Sequence, residues 1–263
     1  MKGNRFQEVL ASGQVPIGHM IDDFNVRGLP KMLEAAGLDF VVIDMEHGGF
    51  GHADVADLVA WFKATSIAPF VRVPVGTYPF IARVLDTGAL GIMVPNVKTG
   101  LEAREIVQAA KYRPLGGRGL TFSSAVNDYE DVSDVGTYMM EANQRTTIIC
   151  QIESYEALDH LDEIASTPGV DVLWVGQFDM TNSMGIPGDL KHPRFQTALA
   201  QVIGAAHKHG KLAGIQGGGV AQLREWAGLG LDVLSYSQDS TIYLAAISEG
   251  VKALRAAVAR SSP

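Results

Sequence analysis

The chain is poor in cysteine, in positive charge and in long apolar runs. Its 263 residues include one cysteine, Cys150, so no intrachain disulfide can brace it. That thiol sits inside the run TTIICQI and reads as a small core residue rather than a nucleophile. Lys and Arg number 21 against 29 Asp and Glu, a formal net charge of -8. Such a balance argues against nucleic acid or an anionic membrane surface as a partner, although a small anion can still bind where the local field allows. No stretch is long and apolar enough to span a bilayer. The opening MKGNRFQEVLASGQ has no apolar signal core, so a reduced, cytoplasmic compartment is the expectation. No Gly/Ser linker or low-complexity tract divides the chain, and residues 1–263 read as a single domain.

The chain is 47% hydrophobic and 19% charged, a globular composition. Short β-rich runs recur at VPIGHM, DFVVIDM, PFVRVP, GIMVP, TTIICQI, DVLWVG, KLAGI and DVLSYS. They are continuous rather than alternating, as strands of a parallel sheet buried on both faces should be. Between them, LVAWFKA, FIARVLD and EAREIVQAAKY repeat apolar residues at three- and four-residue spacing, the period of an amphipathic helix. Eight such strands alternating with helices predict an α/β fold, a (β/α)8 TIM barrel, with a doubly wound open sheet as the alternative. The stretch from Arg113 to Arg145 is less regular and reads as an extended functional loop between the fourth and fifth strands. The tail IYLAAISEGVKALRAAVA reads as an Ala-rich helix.

Several of the apolar runs end in polar or charged groups. FVVIDMEHGG exits through Asp44, Glu46 and His47, VRVP carries Arg72, TTIICQIE ends in Gln151 and Glu153, and DVLWVGQFD runs through Gly176 to Asp179. Charge directly after a buried strand is costly unless it has a partner. In a barrel these ends converge on the catalytic face. Carboxylates and an imidazole there suit a hard divalent cation with acid–base chemistry. Taken singly, each has a plainer reading. Asp44, Glu153 and Asp179 could cap helices, His47 could lie on the surface, and Arg72 could pair with a buried carboxylate. Those readings weaken when all five share one face.

The segments IDMEHG, VRVP, LDTGALGIMVPNV, YRPLGGRG, CQIES and VGQFDMTNSMGIPG resemble the HpcH/HpaI aldolases, in order, from about Gly18 to Ser240. Those are class II, metal-dependent, pyruvate-using enzymes. The resemblance implies a modified barrel in a homohexamer, with the C-terminal helix exchanged between subunits. It implies Glu153 and Asp179 as ligands of a divalent metal cation (Mg, Mn or Co). It also implies Arg72 on the keto oxygen, His47 with Asp44 as the acid–base pair, and Gln151 beside the substrate. The expected reaction is reversible cleavage of a 4-hydroxy-2-oxo acid into pyruvate, or a related 2-oxo acid, and an aldehyde. Backbone N–H groups from Gly176 to Asp179 would hold the carboxylate. None of Lys31, Lys63, Lys98, Lys111, Lys191, Lys208 or Lys211 ends an apolar strand, which argues against a Schiff-base mechanism.

Two places depart from the commonest family pattern. Gln177 and Phe178 stand within Gly-Gln-Phe-Asp, where Gly-Pro-x-Asp is common, and Gln216 replaces an apolar residue facing the aldehyde. Gln216 therefore reads either as a contact to a hydroxylated aldehyde or as a cap on Gly217 to Gly219. Two other functions remain open at this stage. Gly217–Gly218–Gly219 could bind phosphate in an isomerase or synthase, and the same site could serve a non-catalytic 2-oxo acid binding protein.

Overall fold

The structure, a computed structural model, describes residues 3–258. Helix α1 (Arg5–Ala11) precedes β1 (Ile17–Ile21), and α2 (Leu29–Ala35) leads to β2 (Phe40–Asp44). Then come α3 (His52–Phe62), β3 (Ala68–Arg72), α4 (Tyr78–Asp86), β4 (Gly91–Val94) and α5 (Gly100–Ala110). A long connection leads to α6 (Val135–Arg145) and β5 (Thr147–Ile152), followed by α7 (Leu161–Ala165) and β6 (Val172–Val175). Helices α8 (Gln177–Ser183) and α9 (Pro193–Lys208) precede β7 (Leu212–Gly217). Last come α10 (Val220–Gly228), β8 (Val233–Gln238) and α11 (Asp239–Ala257). The strands pair in parallel and in chain order, and β8 closes on β1. This is the predicted (β/α)8 barrel, not the open sheet.

Burial explains why the strands show no alternation. Phe40, Val42, Phe70, Met93, Ile149, Val172, Trp174 and Val233 fill the barrel interior. Their neighbours Val41, Ile43, Val71, Ile92, Ile148, Cys150 and Leu173 pack outward against the helices. Both faces of most strands are largely apolar, so the sequence carries no clear period of two. Helix α1 closes the N-terminal end of the barrel. Its Phe6 stands edge-on to Phe40 and Phe70, with centroids 5.4 and 5.1 Å away. Truncating that ring to alanine should cost about 3–5 kcal/mol. Helix α5 starts with a reciprocal cap. Glu102 N donates to Thr99 Oγ1 at 3.3 Å, and Thr99 N donates back to Glu102 Oε2 at 3.0 Å.

The connection from Arg113 to Arg145 corrects the sequence reading. Its second half is helix α6, capped by Asp134, which accepts from Gly136 N at 2.9 Å and Thr137 N at 3.3 Å. Few apolar residues mark it, because only Tyr138, Ala142 and Asn143 are buried along its length. A 3-10 turn at Ala125–Asn127 packs against α4, and Lys63 reaches the Ala125 carbonyl. This turn and α6 therefore lie by the N-terminal ends of β3 to β5, the end opposite the strand exits that carry the charged groups. The expected C-terminal helix is α11, and its Leu244 and Leu254 are 67% and 66% exposed. Among the described residues, no helix is long and apolar enough to cross a membrane.

Candidate active site

A cavity of about 480 Å³ opens at the C-terminal ends of the strands. It is lined by Asp44, His47, Arg72, Gln151, Gly176, Gln177, Phe178, Asp179 and Gln216, and also by Asp22, Trp174 and Ser237. Glu153 lies buried in the wall behind them. The barrel thus gathers the residues singled out in the sequence at one site.

The β2–β3 register places Asp44 opposite Arg72. Arg72 Nε donates to Asp44 Oδ1 at 2.8 Å, and Nη2 to Oδ2 at 2.6 Å. Its Nη1 lies 3.1 Å from Glu46 Oε2. The guanidinium is only 11% exposed, so this fork is held rigidly, as a bidentate pair should be. Asp44 also accepts from the backbone N–H groups of Glu46 at 2.9 Å and His47 at 3.4 Å. Those bonds turn the chain sharply after β2. Asp44 therefore positions His47 through its backbone, not through its ring as the sequence reading expected. The imidazole is 66% exposed, and Nε2 lies 3.9 Å from Glu46 Oε2. Burial pushes the Glu46 carboxyl above its ordinary range, and Arg72 and His47 partly offset that rise.

Glu153 leaves β5 and turns back into the barrel wall. Its Oε1 accepts from Asn96 N at 2.6 Å, and its Oε2 accepts from Gln151 Nε2. Asn96 adopts a left-handed φ of 54° to bring that N–H round. Burial raises Glu153 to about 7 against the Gln151 hydrogen bond, and the fields of Glu46 and Asp179 add to the rise. Gly176 leaves no room for a side chain here. A Cβ would overlap the Glu153 carboxylate and lie 2.8 Å from Gln151 Nε2. Asp179 sits in the first turn of α8, on the exposed side.

This donor set fits a divalent cation. A carboxyl pushed up by burial, with neighbouring carboxylates adding to the rise, is what a bound cation relieves. Among the described residues no three His, Cys, Asp or Glu side chains converge into a ready-made cage. Two carboxylates with the remaining positions left to water and substrate match the way magnesium-type ions bind at enzyme sites.

Gln177 Nε2 donates to the Gln216 carbonyl at 3.0 Å, and Gln216 Nε2 donates to the Ser237 carbonyl at 3.2 Å. Gln216 therefore bridges β7 to β8 and does not cap Gly217 to Gly219. Phe178 is 64% exposed at the rim.

Sequence reasoning missed Asp22, Asn96 and Asp239. Asp22 follows β1 just as Asp44 ends β2, so the same signal was present in HMIDD. Burial raises its carboxyl to about 6, with Asp44 and Asp239 adding to the shift, and Oδ1 has no hydrogen-bond partner. Asp239 opens α11 and accepts from the backbone of Asp22, Asp23 and Phe24, at 3.1, 3.2 and 2.8 Å. Asn96 could be found only through its backbone, which has no sequence signal beyond following GIMVP. Among the described residues no lysine lines the cavity. Cys150 is buried and its thiol is pushed up to about 12 by that burial, so it plays no part at the site.

A parallel (β/α)8 barrel with an acidic, arginine-bearing site at the strand exits defines the class of protein. The HpcH/HpaI aldolase/citrate lyase family profile matches residues 28–227. A 5-keto-4-deoxy-D-glucarate aldolase from Shigella dysenteriae is 33% identical over 243 residues, covering 92% of this chain and 93% of the relative. An HpcH/HpaI aldolase from Desulfitobacterium hafniense superposes with a TM-score of 0.90 at 30% identity, covering 95% of this chain and 96% of that one. The citrate synthase SbnG superposes with a TM-score of 0.85 at 26% identity, covering 95% and 96%. The chain belongs to the HpcH/HpaI aldolase/citrate lyase family and is a carbon–carbon lyase of the aldolase type.

Proposed function

We propose that the enzyme is a divalent-metal-dependent aldolase that reversibly cleaves a 4-hydroxy-2-oxo acid into pyruvate, or a related 2-oxo acid, and an aldehyde. A keto-deoxy sugar acid is the substrate class, in keeping with the name of the Shigella relative. The observation that carries this reading is the Asp44–Arg72 fork facing the same cavity as the Asp179 carboxylate, with Glu153 buried in the wall behind.

Glu153 and Asp179 would hold the cation (Mg, Mn or Co). Once bound, it would supply Lewis acidity toward the keto oxygen of the 2-oxo acid. Two of Arg72's five N–H groups donate to Asp44, and Nη1 lies in ion-pair contact with Glu46. The remaining N–H groups stabilise the negative charge that develops on the keto oxygen as the carbon–carbon bond breaks. The electron pair of that bond becomes the enolate of the 2-oxo acid, whose carbon then takes a proton from solvent to give the free 2-oxo acid. The hydroxyl at C4 loses its proton and becomes the aldehyde carbonyl. His47, exposed at the rim, takes that proton and returns it in the synthetic direction. Phe178 and Asp179 N–H groups, in the first turn of α8, receive the substrate carboxylate.

The test is exchange of the pyruvate methyl protons with deuterated solvent. Exchange should require Mg, Mn or Co and stop in excess EDTA. Full exchange in EDTA would overturn the metal-dependent reading.

The reading includes a homohexamer with α11 exchanged between subunits. Leu244, Ile247, Val251 and Leu254 leave an apolar face on α11 that a second copy would cover. Light scattering on the full chain tests this, and a monomer would reject it. A single buried thiol is consistent with a cytoplasmic setting.

A further inference from the structure

The hydrogen bonds of Gln177 and Gln216 fix which end of each amide faces the substrate. Both partners are backbone carbonyls, the carbonyls of Gln216 and Ser237. A carbonyl only accepts, so the amide atom beside it must be nitrogen. Each Oε1 is thereby left without a protein donor among the described residues. Each amide keeps its two lone pairs and one free N–H for a ligand. A hydroxyl group, which both donates and accepts, matches that pattern.

A carboxylate does not match it. The charged groups lining the cavity are Asp22, Asp44 and Asp179 against Arg72 and His47. Arg72 is forked on Asp44, and in the reading above its remaining N–H groups face the keto oxygen of the 2-oxo acid, away from the aldehyde half. Asp22 adds a buried, unpartnered Oδ1. Its carboxyl is raised by burial to about 6 and is still mainly ionised at neutral pH. A second carboxylate on the ligand would meet amide oxygens and a carboxylate, and among the described residues no Lys or Arg besides Arg72 lines the cavity to receive it. Like-charge contact of that kind is a rejecting element, which selectivity needs as much as attraction.

We propose that the aldehyde half of the substrate is a neutral, polyhydroxylated chain read by Gln177 and Gln216, so that the enzyme acts on aldonic rather than aldaric keto-deoxy acids. This rests on the aldolase reading above and narrows its substrate class.

Matched aldehyde pairs test it, each condensed with pyruvate in the presence of Mn. Glyceraldehyde is set against tartronate semialdehyde, and glycolaldehyde against glyoxylate, so that chain length is constant within a pair. Wild type should favour the neutral member by about tenfold or more in kcat/KM. Gln216→Leu should lower the preference for glyceraldehyde over propanal by about tenfold, the effect of one lost hydrogen bond in a desolvated site. Gln216→Met provides the same readout if the leucine variant does not fold. Pyruvate proton exchange by the wild type is measured in parallel. Exchange together with equal or better use of the carboxylated aldehydes overturns the proposal and leaves the aldolase reading standing. Absence of both exchange and condensation overturns the two together.

Discussion

Asp44 and Arg72 are register partners on adjacent strands, and their side chains repeat that pairing through two hydrogen bonds of 2.8 and 2.6 Å. The barrel backbone thus sets the aim of the guanidinium. Lysine would keep the charge but lose the planar fork, so it could not hold both carboxylate oxygens. Arg72→Lys should reduce pyruvate proton exchange by about 10²-fold or more, the scale of one lost oxyanion donor. Retained exchange with lost cleavage would instead move Arg72 to the aldehyde. Asp44→Asn should also destabilise the fold by roughly 1.5–3 kcal/mol, the value of a hydrogen bond to a charged group, measured by urea unfolding.

The carboxylates Glu153 and Asp179 make a separate prediction that does not need turnover. Mn should raise the melting temperature of the wild type, because a ligand that binds only the folded state stabilises it. At a concentration of one hundred times Kd the gain is about 2.7 kcal/mol. Glu153→Gln and Asp179→Asn each remove a negative oxygen, so that gain should vanish in both. Glu153→Gln should leave the metal-free protein folded, because it removes a buried carboxyl already raised to about 7. A full Mn shift in either variant would assign the metal elsewhere.

The barrel was legible because its strands obey one rule. A run such as FVVID is apolar on both faces, since Phe40 and Val42 point into the barrel while Val41 and Ile43 point to the helices. Strand exits were equally legible, because a charge following such a run has few places to go. Side-chain direction was not legible. The family resemblance implies His47 with Asp44 as a pair, but Arg72 occupies both Asp44 oxygens from the next strand. Helix α6 was hidden because it buries so few residues against the barrel. Asp22 was overlooked although it repeats the Asp44 signal, and its importance comes from burial that only the closed barrel supplies.

Asp22 carries a pH signature. Burial lifts its folded carboxyl to about 6 from an ordinary 3.8, with Asp44 and Asp239 assisting and Arg72 opposing. A raised acid destabilises the fold where it must ionise, so the penalty is absent below about pH 4 and complete above about pH 6. Asp22→Asn removes it. The variant should match the wild type in melting temperature near pH 3.5 and exceed it by about 2–4 °C at pH 7.5. That corresponds to about 1 kcal/mol, after discounting for solvent screening of a half-buried group. An equal gain at both pH values would mean that Asp22 ionises normally.

Asp239 makes the final prediction, because it holds Asp22 in place. Its carboxylate accepts from the backbone N–H groups of Asp22, Asp23, Phe24 and Ser240, the last at 2.8 Å. It is itself buried at the junction of β8 and α11. One side chain therefore closes the loop after β1 and anchors the start of the C-terminal helix. Asp239→Ala leaves those donors without a partner, and each buried unsatisfied group costs about 1–3 kcal/mol. Asp239→Asn keeps one carbonyl oxygen and should lose less. Hydrogen exchange at Asp22 to Phe24 should accelerate by about tenfold or more in the alanine variant and by less in the asparagine variant. Residues of β4 and β5, across the barrel, should keep their protection. Uniform acceleration over the whole barrel would show that Asp239 acts on global stability and not on the loop that presents Asp22.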